Sequence, residues 1–284
     1  MIHRTRWSLV AVVAFLALAT AACIPATGPR DRRLEGANGV ALHDGALWVA
    51  DLNHARLVVV DPATGRIERG WDVGDGIDAP DDLAFASDGS AYVASPNGNS
   101  VTRFAPDGTH KKVAAITGAN PIAVSADDRV FVGREVGGDI YEIDPTGVLP
   151  PRVVRPYDGA LINGFAFGPD GALYVPRFEF LGSVERIDVD TGARTTVTTG
   201  IALPAALKVG PDGMLYVLQS FFGPAIWRVD PSTGAKVKVA TIHRDVVDNL
   251  AIASDGTFFV SGFSDGTITE IRPDGGQRTF VPGP

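Results

Sequence analysis

Apolar and polar positions alternate along this chain in short runs of four to six residues, and no stretch beyond the first 23 residues holds a helical period. From residue 38 onward one unit recurs six times: a polar residue, a small apolar run, then a turn. The six starts are Asn38–Leu42 (NGVAL), Asp81–Phe85 (DDLAF), Asn120–Val124 (NPIAV), Asn163–Phe167 (NGFAF), Ala205–Val209 (AALKV) and Asp248–Ile252 (DNLAI), spaced 43, 39, 43, 42 and 43 residues apart. A period near 40 built from strand-like pieces is the mark of a propeller or solenoid.

Each unit subdivides in the same way. The first run ends at an Asp-centred turn, as at Asp44-Gly45, Asp88-Gly89, Asp170-Gly171, Asp212-Gly213 and Asp255-Gly256, where the backbone can take the positive φ of a tight hairpin. A second apolar run follows (LWVA, AYVA, VFVG, LYVP, LYVL, FFVS), then a third, a second Asp/Pro/Gly turn and a more polar fourth. First runs are apolar on both faces, as sandwiched strands are; third and fourth runs alternate apolar residues with Arg, Glu, Thr and Lys, as rim strands do. The expectation is all-β: a six-bladed β-propeller of four-stranded blades spanning 38–284. Gln277–Phe280 completes the sixth unit without help from the N-terminus, so the pattern does not show how the ring locks.

The first residues have a different character. Arg4 and Arg6 precede an apolar run from Trp7 to Ala19, small residues follow, and the chain's single cysteine comes next, at Cys23. The run is short for a bilayer span and fits an export signal over 1–22. Thr20–Cys23 resembles a bacterial lipobox, which implies a diacylglycerol on Cys23 and an extracytoplasmic chain anchored to a bacterial membrane; plain cleavage leaving Cys23 a free thiol is the other reading. Residues 23–37 are rich in Pro, Gly and charge and read as the lipidated cysteine and a flexible tether. One cysteine allows no internal disulfide, so stability must come from the core. Without residues 1–22 the chain has 33 acids against 23 bases, a balance of −10 with no basic stripe. That argues against a nucleic-acid partner. The remaining expected partners are the membrane, and a small molecule or an envelope protein bound by a monomer.

Trp48–Leu57 (WVADLNHARL) resembles an NHL-type repeat, and Asn163–Val175 (NGFAFGPDGALYV) resembles the SMP-30/gluconolactonase/strictosidine-synthase-like superfamily. The resemblance covers all six units. It implies a divalent cation, commonly calcium, at the central channel, held by an acid of blade one, Asn of blades three and four, and Asp of blade five. Asn120 and Asn163 match. Asn38 stands in place of the first acid, and Ala205 in place of the last, which the resemblance implies is the base.

The topology points to the same place independently. In a four-stranded meander the starts of the first strands and the loops between second and third strands share one face. Asn38, Asp81, Asn120, Asn163 and Asp248 then converge on the axis, an oxygen-only set suited to Ca2+ or another divalent cation. The bland alternative is that these side chains cap strand starts through nearby backbone. Loops on that face supply Arg134, Glu135, Arg177, Glu179, Phe180, Phe221, Phe222 and Phe263. Arg134, Arg177, Phe221 and Phe222 are candidate substrate contacts, either as a pocket wall or as a packed lid. Gly262–Gly266 (GFSDG) matches a nucleophile motif, but lies in a hairpin where the motif needs a strand running into a helix. Two functions stay open: ligand or partner binding at the loop face, and metal-dependent hydrolysis of a lactone or ester with Asp248 or Asp81 taking the proton.

Overall fold

The computed structural model describes residues 32–156 and 158–284. The expected signal peptide over 1–22, Cys23 and most of the expected tether lie outside the described residues. The expected fold is present: six four-stranded antiparallel sheets, each in simple chain order, close into a ring as a six-bladed β-propeller. Blade one runs Ala37–His43, Ala46–Asp51, Arg56–Val60 and Ile67–Trp71 from axis to rim, with Val40 opposite Val49 and Leu47 opposite Val60. The other innermost strands are Asp82–Phe85, Ala119–Val124, Ala166–Phe167, Pro204–Val209 and Leu250–Ile252.

The core is a set of wedges between blades. Buried apolar side chains fill each gap, for instance Leu218 and Ile226 of blade five against Leu250 and Val260 of blade six, and Val93 and Phe104 of blade two against Ala50 and Leu57 of blade one. Burying one such side chain contributes about 1.5–3 kcal/mol, and each wedge presses its innermost strands toward the axis.

Two glycines set how closely those strands approach. A Cβ on Gly39 would lie 2.3 Å from the carbonyl oxygen of Asp81 and 2.7 Å from the Cα of Asp82. One on Gly164 would lie 2.8 Å from the Cα of Ala206 and 2.9 Å from the carbonyl oxygen of Ala205. The Asn-Gly openings of blades one and four are therefore packing requirements: the backbone of the next blade occupies the space a side chain would need.

The ring locks through its C-terminus. Blade six is complete within itself (Leu250–Phe280), and the tail then crosses to blade one. Gly283 bridges Arg66 in parallel, Ile67 N–H donates to the Gly283 carbonyl at 2.7 Å, and Leu34 N–H donates to the Pro282 carbonyl at 3.0 Å. Arg278 adds bonds to the Pro62 and Ala63 carbonyls. Leu34 is buried, so the chain is docked from there on, where the sequence pattern reads as tether up to Ala37. A two-stranded ladder, Val136–Gly137 with Ala160–Leu161, lies outside the blades and has no counterpart in the sequence pattern. Replacing Gly164 by Ala is expected to lower stability by about 1–3 kcal/mol through overpacking, read as an earlier urea midpoint; an unchanged midpoint would show that blades four and five have room to spare.

Candidate functional site

Four of the five candidate ring residues are nearly or fully buried on the axis: Asn38, Asp81, Asn120 and Asp248. Asn163, less buried, joins them through a directional chain of amides. Asn120 Nδ2 donates to Asn163 Oδ1 at 2.8 Å, and Asn163 Nδ2 donates to Asp248 Oδ1 at 2.9 Å. Asn38 hydrogen-bonds the Asp81 carboxyl across the gap between blades one and two. The residues lie 43 and 85 positions apart in sequence along the amide chain, and the ring alone brings them together. Ala205 fills the blade-five place with a methyl group. Asn120 Oδ1 and Asp248 Oδ2 are buried with no hydrogen-bond partner. Orphaned oxygens of this kind are uncommon and costly in a folded interior.

A second polar layer lies one residue further along the strands. Asp82, fully buried, accepts from Leu83 N–H at 2.9 Å, from Asn249 Nδ2 at 3.1 Å and from Ile122 N–H at 3.2 Å. Ser261 Oγ donates to the Asn38 carbonyl at 2.5 Å and accepts from Asn249 N–H at 3.0 Å. This layer ties blades one, two, three and six, and it is satisfied. The upper layer is not.

A small cavity of about 20 Å³ opens beside the upper layer, walled by Glu135, Asn163, Asp248, Ser220, Phe178, Phe221 and Phe263. That is room for roughly one water or one bare ion. Glu135 enters because its backbone is pinned on both sides: its N–H donates to the Gly118 carbonyl, and its carbonyl accepts from Ile162 N–H at 3.0 Å. Burial pushes the Glu135 carboxyl up to about 7, with the Asp248 charge adding to it. Burial also raises Asp248 to about 6, opposed by the Asn163 hydrogen bond and Lys208 and reinforced by Asp82. Asp81 is also raised well above the usual carboxylate range, by burial first and then by Asp248, Glu135 and Asp82.

The candidate substrate contacts separate. Phe221 lines the cavity and packs edge-on against Phe178. Phe222 points the other way, 71% exposed, and meets Phe180 at 5.9 Å. Neither arginine lines the cavity. Arg134 Nε binds Asp139 at 2.7 Å, and Arg177 is held by Glu179, Asp158 and Glu185. Ser220 is a cavity residue that the sequence pattern did not single out, and Glu135, expected only as a loop residue of this face, lines the cavity. Paired polar residues at strand starts (Asp81-Asp82, Asp248-Asn249) were a readable signal for the second layer. Among the described residues, no three His, Cys, Asp or Glu side chains gather as a ready-made metal cluster.

The fold and ring define a six-bladed propeller with a polar channel. No family model matches the chain. Its homologues include a virginiamycin B lyase of Nocardia farcinica, 32% identical over 138 residues that cover 46% of this chain and 45% of that protein. They also include a gluconolactonase of Zymomonas mobilis, 28% identical over 165 residues that cover 49% of this chain and 46% of that protein. The chain thus spans about half the length of the curated relatives it matches. Among solved structures, a streptogramin B lyase superposes with a TM-score of 0.67 at 17% identity, covering 90% of this chain and 84% of that one. A calcium-binding protein, regucalcin, of Agrobacterium tumefaciens superposes with a TM-score of 0.64 at 18% identity, covering 92% and 98%. These neighbours, a gluconolactonase of Xanthomonas campestris among them, share the propeller fold.

The raised carboxyls give the free protein a characteristic pH dependence. Their folded values exceed their unfolded ones, so the folded chain holds protons that the unfolded chain releases. That contribution is full below about pH 4 and is lost as pH climbs through the 6–7 range of Asp248 and Glu135. Without divalent cations, the melting temperature is expected to fall by roughly 5 °C or more from pH 5 to pH 8. Asp248→Asn should flatten the profile, and a wild-type profile already flat would contradict the burial of these groups.

Proposed function

We propose that this chain is an envelope-anchored propeller that binds a small, oxygen-bearing ligand at its channel mouth, with a divalent cation such as Ca2+ held on the polar ring. The observation that carries the reading is the pair of buried, partnerless oxygens, Asn120 Oδ1 and Asp248 Oδ2, at the two ends of the amide chain through Asn163, with Asp248 and Asn163 lining a cavity the size of an ion or a water. A hard cation accepts such oxygens from carboxylates and carboxamides alike. Asp81, Asp248, Asn38, Asn120 and Asn163 would hold it, and Glu135 stands next to them. The donor set fits in chemistry and in charge: Asp248 and Glu135 both act on Asp81 as like charges, and Lys208 is a counter-charge acting on Asp248. The likeness to a calcium-binding regucalcin supports the same choice.

The cavity admits one atom of a ligand, not its body. A carbonyl, hydroxyl or carboxylate oxygen would reach down to the ring while the rest of the molecule lies among the loops above. Phe178, Phe221 and Phe263 wall the approach and keep bulk water from the ring. Export and anchoring rest on the lipobox at Thr20–Cys23.

Hydrolysis of a lactone or ester is the second reading. It is favoured by the carboxyl of Glu135 on the cavity wall and by the likeness to gluconolactonase. A bound cation would polarise the carbonyl. Asp248, Asp81 or Glu135 would take the proton from water, in place of the base that Ala205 cannot supply. Lyase activity is less well supported. A histidine-to-alanine variant of the Staphylococcus aureus virginiamycin B lyase is catalytically inactive, and no histidine lines this cavity among the described residues.

Calcium titration by calorimetry, with elemental analysis of the purified chain, tests the ring. About one cation per chain is expected, weakened tenfold or more in Asn163→Ala, in line with loss of one oxygen ligand. A wild-type chain that takes up no divalent cation sinks the cation reading. Turnover of simple lactones that disappears in Asp248→Asn would decide for the hydrolase; calcium binding with no turnover would decide for binding alone.

A further inference from the structure

We propose that the channel face docks on a lipid bilayer, with Phe180, Leu181 and Phe222 seated in its headgroup layer, so that the site opens toward the membrane surface. The inference rests on the reading that Cys23 carries a lipid.

Exposed large apolar side chains are unevenly placed on this propeller. Val153, Val237 and Val239 belong to outermost strands, and Val148 and Leu149 form a small pair in a turn on the face away from the channel mouth. The channel face carries Val73, Val136, Phe180, Leu181 and Phe222, which are 60–71% exposed and include the two strongly exposed phenylalanines among the described residues. Phe180 and Leu181 lie between the second and third strands of blade four, and Phe222 lies in the equivalent loop of blade five. Phe222 takes a φ of 57°, in the left-handed region. For a bulky residue without β-flexibility that conformation is strained. The ring lies outward against Phe180, where the folded chain gains little burial from it. An apolar patch held open at a backbone cost is a contact surface.

The chain enters the domain on the same face. Leu34 and Glu35 lie directly over Gly266, in the loop between second and third strands of blade six. The Glu35 carbonyl accepts from Asn53 Nδ2 at 3.0 Å, in the equivalent loop of blade one. Arg56 donates to the Arg32 and Arg33 carbonyls, fixing the exit. Ten residues lie between Cys23 and buried Leu34, a reach of at most roughly 40 Å when fully extended. A lipid at Cys23 therefore pulls on the rim of the channel face, and the aromatic patch of blades four and five lies across the mouth from that pull. Together they define two points of contact that hold the face against the bilayer. The chain is acidic, and Glu179 borders the patch, so the surface suits zwitterionic headgroups better than anionic ones. Phe and Leu side chains bury at the headgroup–acyl boundary. The ligand reaching the channel would then be an amphipathic molecule drawn from the membrane surface.

The test uses the full acylated chain in phosphatidylcholine vesicles containing a lipid-borne quencher. An environment-sensitive fluorophore is placed on Leu181→Cys and, as a control of equal exposure on the opposite face, on Leu149→Cys. An acylated Cys23 offers no thiol, so the wild-type chain should take up no label. Quenching at position 181 at least about threefold stronger than at 149, and weakened by Phe180→Ser, is expected for an interface-seated loop. Equal, water-like quenching at both positions overturns the docking, as does shielding at 181 that requires an added protein. If the wild-type chain labels at Cys23, the anchoring reading fails on its own. Docking is then judged with the same two labels in a Cys23→Ser chain mixed with vesicles: preferential quenching at 181 upholds it, and none overturns it.

Discussion

Six innermost strands converging on one axis is the constraint from which the rest of this structure follows. Wedges of apolar side chains drive the blades together, and at the axis the strands meet backbone to backbone. Space there is so short that Gly39 and Gly164 can carry no side chain. Polar residues at the strand starts are consequently forced toward one another whatever their charge. Below, Asp82, Asn249 and Ser261 resolve that crowding by complete hydrogen bonding across four blades. Above, Asp81 and Asp248 are buried with Glu135 close by, and the amide chain that reaches Asp248 leaves an orphan oxygen at each end. The lower layer holds the ring; the upper layer has an unmet demand for positive charge.

That demand can be met by protons or by a cation, and the two compete for the same oxygens. A proton on Asp248 or Asp81 removes the repulsion but leaves Asn120 Oδ1 without a donor. A cation satisfies the carboxylates and the amide oxygen together. The predominance of neutral carboxamides in the ring matters here. Under the proposed function each would offer a ligand oxygen without adding to the repulsion between the ring carboxylates.

Fold and site were legible in the chain to different depths. The blades could be read because their signals are local: an Asp-Gly turn, a five-residue apolar run and a period near 40 are each set by neighbouring residues. The convergence of Asn38, Asp81, Asn120, Asn163 and Asp248 follows from that repeat and could be read with it. Side-chain direction in the loops could not. Arg134 and Arg177 are turned aside by carboxylates nearby, Asp139 and Glu179 among them. Phe221 and Phe222 are adjacent yet face the cavity and the solvent respectively. Glu135 reaches the cavity only because Val136–Gly137 pairs with Ala160–Leu161 across a gap of more than twenty residues, in a ladder too short to leave a periodic trace. Ring closure through Gly283 depends on backbone atoms alone, and backbone atoms leave no mark on residue type.

The size of the cavity constrains function more tightly than the identity of its walls. A space of about 20 Å³ beside buried carboxyls cannot enclose a sugar or a peptide. At this site, anything larger would have to be held on the loops around the mouth, where Phe180, Phe221 and Phe222 stand and Arg134 and Arg177 are already paired. Such a surface favours the apolar part of a ligand and leaves the ring to select one polar atom. Selectivity then divides between two regions of the fold: the ring, dictated by propeller geometry, and the blade-four and blade-five loops, which are free to vary because no wedge of the core depends on Phe180, Leu181 or Phe222.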